Sequence, residues 1–498
     1  MRPPLGLLVF VVGAASLGAE IAAARLLAPY FGASTIIWAN TIATVLVALS
    51  AGYALGGRLA DRAPRMSRLC QIVIAAAVLL GAVPFLSGPL LRAASSAVGS
   101  LSVGGFFGSL VAVLALVAVP VLLLGTVAPF AIRLSLQRTE ESGRVSGRLY
   151  ALSTAGSLVG TFLAALLLIP FAGTHRTFLA FALALALVAL PGLPRLSVPV
   201  SALLAILLAL PPGGVDLQIA GGGRVIYETE TQYQYARVIE QPGGERWLQL
   251  NEGVATHSVY LPGTYLTGNY WDGFLVLPFA VRRLPPARIA ILGDAAGTTA
   301  RAYGHFFPRT QIDAVELDGQ LTEIGRRFFA LGVRPQLHTI TADARPWLAS
   351  VSRHYDAIFL DAYRQPYIPF YLATREFFDS MRSHLRPGGV VVVNVGHPTG
   401  STALERAIST TLRAVFPHVA RDASEPTNTL VVASEAPIRA LALAAALPAL
   451  APELRPTALG AAARLAPALG GGPVYTDDRA PVEWLVDESI IGYLKGPR

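Results

Sequence analysis

Apolar positions run almost unbroken through the first two-fifths of the chain, at 5–28, 36–57, 70–91, 106–132, 149–170, 177–193 and 196–210. Most of these runs approach or exceed the ~20 residues a helix needs to cross a bilayer. The pattern therefore predicts a multi-span α-helical membrane domain over residues 1–212, with about seven spans. The last run is the shortest and contains Pro199, so it reads equally as an interfacial or re-entrant segment. The first run is too long for a cleaved signal peptide, carries Glu20 and Arg25, and is followed by further spans, which predicts that it is retained.

After the "PPGG" at 211–214 the periodicity changes. Residues 215–284 hold short alternating segments with a Pro242-Gly243-Gly244 turn, predicting a small β-rich subdomain. From 285 to 498 apolar strands alternate with helix-like stretches such as 321–331 and 374–385, the sign of a parallel sheet with crossover helices. The strands read as "RIAILG", "QIDAVEL", "QLHTITAD", "YDAIFLD", "GGVVVVNVG" and "TLVVAS". The predicted class is thus a multi-span helical membrane domain followed by an α/β Rossmann-like domain with a small N-terminal β subdomain.

Composition agrees: the chain of 498 residues is 53% hydrophobic and only 14% charged. The net charge of +8 does not point to nucleic acid, because no basic run is interleaved with aromatics and Lys495 is the only lysine. One cysteine, Cys70, rules out a disulfide framework and a cysteine metal site, and the scattered histidines have no metal-ligand spacing. Arginines gather in two loops, Arg58, Arg62, Arg65 and Arg68, then Arg133, Arg138, Arg144 and Arg148. They place those loops and the N-terminus inside. The first loop resembles the cytoplasmic loop after the second helix of major-facilitator transporters. Glu20 and Arg25 are either boundary residues that pair with neighbouring helices or part of a ligand path. Gly13, Gly18, Gly52, Gly56 and Gly57 predict close helix packing.

A doubly wound sheet binds ligands at the carboxyl ends of its strands, and the chemical candidates fall there. "GDAAGTTAR" supplies Gly293, Asp294 and Gly297 at the first strand-to-helix turn, where glycine admits a ligand to the backbone amides. Glu316 ends the second strand, placed to accept from both ribose hydroxyls. Asp343 ends the third, placed either to accept from an adenine amino group or to cap a helix. Asp361 ends the fourth. The full G-x-G-x-x-G is absent, which favours an adenosyl sulfonium over a dinucleotide.

The stretch "YDAIFLDAY…IPFYLATREFFDSMRSHLRPGGVVVVNV", with "VELD", "TADARPWL" and "YTDDRAPVEW", resembles the spermidine synthase family of aminopropyltransferases, specifically its membrane-fused members. The opening "LGAEIAAARLLAPYFG" resembles the first helix of those fused members. The resemblance implies transfer of an aminopropyl group from decarboxylated S-adenosylmethionine to an amine, leaving methylthioadenosine, with no metal. It implies Gln234 and Glu316 on the ribose side, Asp343 at the adenine, and Asp361 as the catalytic carboxylate that takes the proton of the attacking amine. Tyr233, Tyr270, Asp272, Tyr363 and Arg364 are the candidates on the acceptor side. Three positions depart from the family: Ala296 stands where an acid holds the donor's amine, Arg364 where an acid binds the diamine, and Thr256 where a glutamine is expected. An inward Arg364 would repel a dication and favour a carboxylate or phosphate. Two alternatives stay open. One is methyl transfer from, or cleavage of, S-adenosylmethionine itself. The other is a non-catalytic transporter or sensor for adenosyl or polyamine ligands. The expected partners are a small-molecule amine and the lipid bilayer, with a homodimer left open. The expected location is the inner membrane, multi-pass, with the soluble domain leaning cytoplasmic.

Overall fold

The computed structural model describes residues 5–31, 35–96, 103–136, 138–210, 222–251, 255–363 and 368–482. Two compact units result: one holds the N-terminal helical part with the segment Thr229–Tyr235, the other holds most of the C-terminal part.

Among the described residues five helical stretches are long and apolar enough to cross a membrane: Leu5–Ala28, Ile37–Arg62, Met66–Leu91, Phe107–Ser135 and Thr139–Ala172. The other two apolar runs form shorter helices, Thr174–Ala189 and Arg195–Ala209. At 1.5 Å per residue, sixteen residues reach only about 24 Å. Glycine and proline set that length. Gly173, at φ 85°, breaks the chain before the first of them, and the Pro191-Gly192-Leu193-Pro194 segment separates the two. The first is nonetheless enclosed, with Phe178, Phe181, Leu185 and Ala189 buried in the helical core. Two of the longer helical stretches absorb a proline differently. The π turns Leu114–Ala118 and Ala164–Leu168 stand just before Pro120 and Pro170, each of which removes a backbone donor.

Glycines set the helix contacts. Helices α1 (Leu5–Phe31) and α2 (Thr35–Arg62) open the unit, followed by Met66–Ser96 (α3), Val103–Val113 (α4), Val119–Gly125 (α5), Val127–Ser135 (α6), Ser142–Leu163 (α7), Ile169–Ala172 (α8), Thr174–Ala189 (α9) and Pro194–Ala209 (α10). A Cβ on Gly156 would lie 2.0 Å from the Phe10 carbonyl oxygen, and one on Gly160 2.1 Å from that of Ala14. From the other side Gly13 would meet the Ser153 carbonyl at 2.3 Å. On α2, Gly52 and Gly56 stand as close to Leu122 and Thr126, Gly18 packs on the Phe181 ring, and Gly57 faces open space. Such backbone proximity is what dispersion rewards between apolar helices. Gly160→Ala is therefore expected to force α1 and α7 apart and cost about 1–3 kcal/mol as an overpacking change. Thermal unfolding in detergent would show it as a lower midpoint, and an unchanged midpoint would refute the contact.

Arg25 is occupied within this unit: its Nη2 donates to the Thr231 carbonyl at 2.6 Å. Glu230 Oε2 likewise accepts from the Thr174 amide at 2.9 Å and its hydroxyl at 2.5 Å.

The C-terminal part begins with a four-stranded sheet in the order β1 (Arg224–Glu230), β2 (Tyr235–Glu240), β3 (Arg246–Leu250), β4 (Thr256–Tyr260). Ala236, Val238, Leu248 and Leu250 on its inner face pack with Ala296, Leu321, Ile324 and Phe329, which seats β2 and β3 beside the glycine turn.

The main sheet has eight strands. They are β5 (Arg288–Leu292), β6 (Gln311–Glu316), β7 (Leu337–Thr341), β8 (Tyr355–Leu360), β9 (Leu385–Gly396), β10 (His418–Glu425), β11 (Asn428–Ser434) and β12 (Ala466–Pro467). Their spatial order is β12-β10-β11-β9-β8-β5-β6-β7. The strands β5 to β9 are mutually parallel, while β11 runs antiparallel beside β9 and forms a hairpin with β10. Apolar clusters cover both faces, one around Phe274, Tyr303 and Phe359, the other around Phe377, Phe378 and Met381. The chain winds outward from β5 to β7 and then returns to place β8 on the other side of β5. The switch point therefore lies between the carboxyl ends of β5 and β8, and the next residues on those strands are Gly293 and Asp361.

Candidate active site

Gly293 has φ 86°, and a Cβ there would lie 2.6 Å from the Asp361 carbonyl oxygen and from Ala362 Cα. Only glycine allows the two strand exits to come this close. The Asp361 amide then donates to the Leu292 carbonyl at 2.9 Å, which fixes the start of the Asp361 loop. Gly297, at φ 88°, caps the next helix, α11 being Trp271–Val276 and α12 Thr298–Phe306.

The two acids of β8 have opposite fates. Asp356, at the amino end, accepts from the Ala287 and Arg288 amides and pairs with Arg282 and Arg386. Asp361, at the carboxyl end, is hydrogen-bonded only by neutral groups among the described residues. Asn394 Nδ2 donates to its Oδ1 at 2.7 Å, and the Tyr270 hydroxyl stands 3.4 and 3.2 Å from its two oxygens. Burial pushes the Asp361 carboxyl up to about 7, against the opposing hydrogen bonds from Asn394, Tyr270 and Trp271. A carboxylate with no cation beside it, titrating near neutrality, is poised to exchange a proton.

Two more acids stand close enough to feel one another. Glu316 Oε2 accepts from the Ala295 amide at 2.9 Å and its Oε1 from the Asp318 amide at 3.0 Å. Burial raises Glu316, the amide hydrogen bonds opposing. Asp294 is raised well above its ordinary range by burial and then by the charges of Glu316 and Asp361. A cation placed among the three would relieve all of them.

The other expected residues are placed as follows. Asp343 caps α14 (Ala344–Ser350; α13 is Gly319–Phe328), its Oδ1 accepting from the Arg345 amide and its Oδ2 from the Tyr371 hydroxyl at 2.8 Å. Asp272 is buried and accepts from the Thr267 amide and hydroxyl and the Gly268 amide, so it holds its own loop. The Tyr363 hydroxyl donates to the Asn394 carbonyl at 2.9 Å and accepts from the Gly396 amide, which pins the ring against β9. Tyr233 and Gln234 occupy the β1–β2 turn, where the Thr231 hydroxyl accepts from both of their amides. Ala296 is fully buried in the apolar cluster under the small sheet. Thr256 and His257 lie on β4. Arg364 lies outside the described residues. Among the described residues no group of three or more His, Cys, Asp or Glu is placed to hold a metal.

Sequence reasoning missed Asn394 and Asn428. Asn428 Nδ2 donates to Asn394 Oδ1 at 3.0 Å, and its own Oδ1 accepts from the Thr427 hydroxyl at 3.1 Å. This chain orients Asn394 so that its amide N–H points at Asp361. The available signal was an asparagine at the end of an otherwise valine-rich buried strand, level with the acid.

Sheet order and site together define a Rossmann-like, methyltransferase-type domain. Residues 279–431 match the "Spermine/spermidine synthase domain", and the C-terminal part of the chain carries that domain. The chain is 35% identical over 191 residues to the "Probable polyamine aminopropyl transferase" of Bifidobacterium longum (strain NCC 2705), covering 38% of this chain and 42% of that protein. It is 35% identical over 135 residues to the "Polyamine aminopropyltransferase" of Vibrio vulnificus (strain CMCP6), 26% of this chain and 44% of that one. The chain thus spans under half the length of these curated relatives. Among solved structures it is similar to a probable spermidine synthase from Corynebacterium glutamicum ATCC 13032, with TM-score 0.40, 21% identity, and coverage of 50% of this chain and 98% of that one.

Proposed function

We propose that this protein is a membrane-bound transferase that moves an aminopropyl or related alkyl group from decarboxylated S-adenosylmethionine, or from S-adenosylmethionine, to an amine acceptor, releasing methylthioadenosine. The observation that carries the reading is Asp361, a carboxyl at the switch point that is hydrogen-bonded only by neutral groups among the described residues and that burial pushes up to about 7. In the reaction the amine lone pair forms the new C–N bond as the C–S bond breaks. The sulfur leaves as a neutral thioether, and Asp361 takes the ammonium proton. The acids Asp294 and Glu316 favour a sulfonium nearby, and the spare lone pairs of Glu316 suit ribose hydroxyls. The arginine-rich loops and the intracellular supply of adenosyl sulfonium compounds support an inner-membrane protein with its soluble domain facing the cytoplasm.

The test uses the purified full chain in detergent, each donor separately, a pool of amines, and mass spectrometry of the nucleosides. Methylthioadenosine that requires an amine supports transfer. Nucleoside binding without any product would replace the enzyme by a sensor or transporter. A second reading, methyl transfer from or cleavage of S-adenosylmethionine, is favoured by Ala296, because the acid expected there, which would repel the carboxylate that S-adenosylmethionine retains, is replaced by a buried methyl. S-adenosylhomocysteine as the product would establish methyl transfer, and methylthioadenosine without an amine would establish cleavage.

Asn394→Ala removes the best-formed hydrogen bond to Asp361. A bond to a charged group contributes about 1.5–3 kcal/mol, so the rate is expected to fall about 10–100-fold. Because that bond favours the ionised form, the rising limb of the pH–rate profile is expected to move to higher pH. An unshifted limb would reduce Asn394 to a packing residue.

A further inference from the structure

Among the described residues three side chains hydrogen-bond Asp361: Asn394 from β9, and Tyr270 with Trp271 from the start of α11. Burial, and then the charge of Asp361, keep the Tyr270 hydroxyl protonated, so it donates. Tyr270 opens α11. Its carbonyl accepts from the Gly273 amide at 2.9 Å, while its own amide lies ahead of the first helical turn. Such an N–H has no acceptor within its helix. Glu425, 155 residues away in the chain, supplies one, its Oε1 accepting at 2.5 Å.

Glu425 stands at the closed end of the β10–β11 hairpin, directly across from Asn428, with Pro426 and Thr427 between them as the turn. The proline ring fixes its own φ and stiffens that turn. On one side Asn428 donates to Asn394, which donates to Asp361. On the other side Glu425 holds the amide of the residue whose hydroxyl reaches Asp361. Both supports of the carboxylate therefore lead back to residues paired across one turn.

We propose that Glu425 is a positioning residue for the transfer: it anchors the start of α11 so that Tyr270 and Trp271 reach Asp361, and with Asn428 it makes a single hairpin turn the mount of the groups that hold this base. The role rests on the reading of Asp361 as the base. Glu425 acts through the Tyr270 backbone and takes no proton itself.

The experiment follows Asp361 without donor or turnover, by infrared titration of the full chain in detergent. The protonated-carboxyl band that Asp361→Asn removes identifies it, with a midpoint expected near 7 in the wild type. Tyr270 and Tyr363 are the titratable groups beside Asp361, with Asp294 and Glu316 near enough to feel its charge, and the variants leave all four in place. Losing donors to the ionised form favours the protonated one. Glu425→Ala, and Glu425→Asp whose carboxylate falls a methylene short of the amide, are expected to raise the midpoint by about one pH unit, the tenfold change that a lost bond to a charged group brings. Removing the Glu425 charge acts in the opposite sense, so a rise reports the hydrogen bonds. Glu425→Gln keeps an acceptor oxygen and is expected to recover most of the shift.

A midpoint unmoved in both Glu425→Ala and Glu425→Asp overturns the proposal. So does Glu425→Gln rising as far as Glu425→Ala, since the acceptor is then irrelevant. A wild type without the band overturns it as well, because Asp361 is then no proton-exchanging base. Where alanine prevents folding, aspartate carries the test, and failure of both to fold makes Glu425 a structural residue and refutes the role. In the product assay the same shift moves the rising limb to higher pH and lowers the rate about five-fold at pH 7, from the smaller ionised fraction alone. If no donor gives product, the transfer reading falls, while the infrared midpoint still decides whether Glu425 holds the donors to Asp361.

Discussion

Asp361→Asn is expected to lower product formation by about 10²–10⁴-fold, the usual contribution of a general base. Donor binding should stay within a few-fold, since asparagine keeps the shape and can still accept from Asn394 and donate to the Tyr270 hydroxyl. Wild-type kcat/KM should rise with pH through about 7 as Asp361 ionises, because only the carboxylate can take the amine proton. The variant should lack that limb. Steady-state methylthioadenosine formation between pH 5.5 and 9 measures both. A variant retaining a tenth or more of the wild-type rate would remove Asp361 from the chemistry.

The same burial makes a stability prediction of opposite sense. The folded carboxyl titrates at about 7, against an ordinary 3.8, so folding binds a proton more tightly than unfolding does. The stability this lends is complete below the ordinary value and is lost as pH rises through the folded one. Asp361→Asn carries no such charge. Its unfolding midpoint should therefore exceed that of the wild type at pH 8, and the gap should shrink toward pH 5. A gap that is constant with pH would mean that Asp361 is not charged at a cost in the folded protein.

Strand-end chemistry was legible because the code is local. An apolar β-branched run that stops at an acid or a glycine marks both the strand and the end that faces the ligand, as at Gly293, Glu316 and Asp361. The long apolar helices were legible for the same reason. Their individual lengths were not, because these depend on where Gly173 and the prolines at 191 and 194 cut the apolar sequence, and hydropathy does not register those cuts. The strand β10 escaped notice because its inward Asp422 pairs with Arg464, a partner 42 residues away. Asn394 read as part of a valine strand, since its role depends on β8 and β11 flanking β9, a neighbour relation that no spacing in the chain announces. Asp343 shows the limit from the other side. Its sequence position admitted both a ligand contact and a helix cap, and the folded chain makes the cap.

Glu316 is the other residue whose change should be severe, through binding rather than chemistry. Each of its oxygens accepts a backbone N–H, and one of these belongs to Ala295, a non-glycine residue at φ 46°. That conformation is costly for an L-residue and persists only where its surroundings enforce it. Glu316→Gln turns one oxygen into an amide that faces an N–H, so one turn loses its acceptor at about 1–3 kcal/mol. A ribose contact would go with it. Methylthioadenosine should bind roughly 100-fold more weakly, from about 1.4 kcal/mol for each tenfold step, while kcat at saturating donor changes little. Acid should mimic the variant, since protonating Glu316 removes the same acceptor. Wild-type affinity for this nucleoside is thus expected to fall as pH drops through the raised Glu316 value, and Glu316→Gln should not follow. Calorimetry across pH 4.5–8 decides the matter: a variant that binds methylthioadenosine as the wild type does would confine Glu316 to holding the turn.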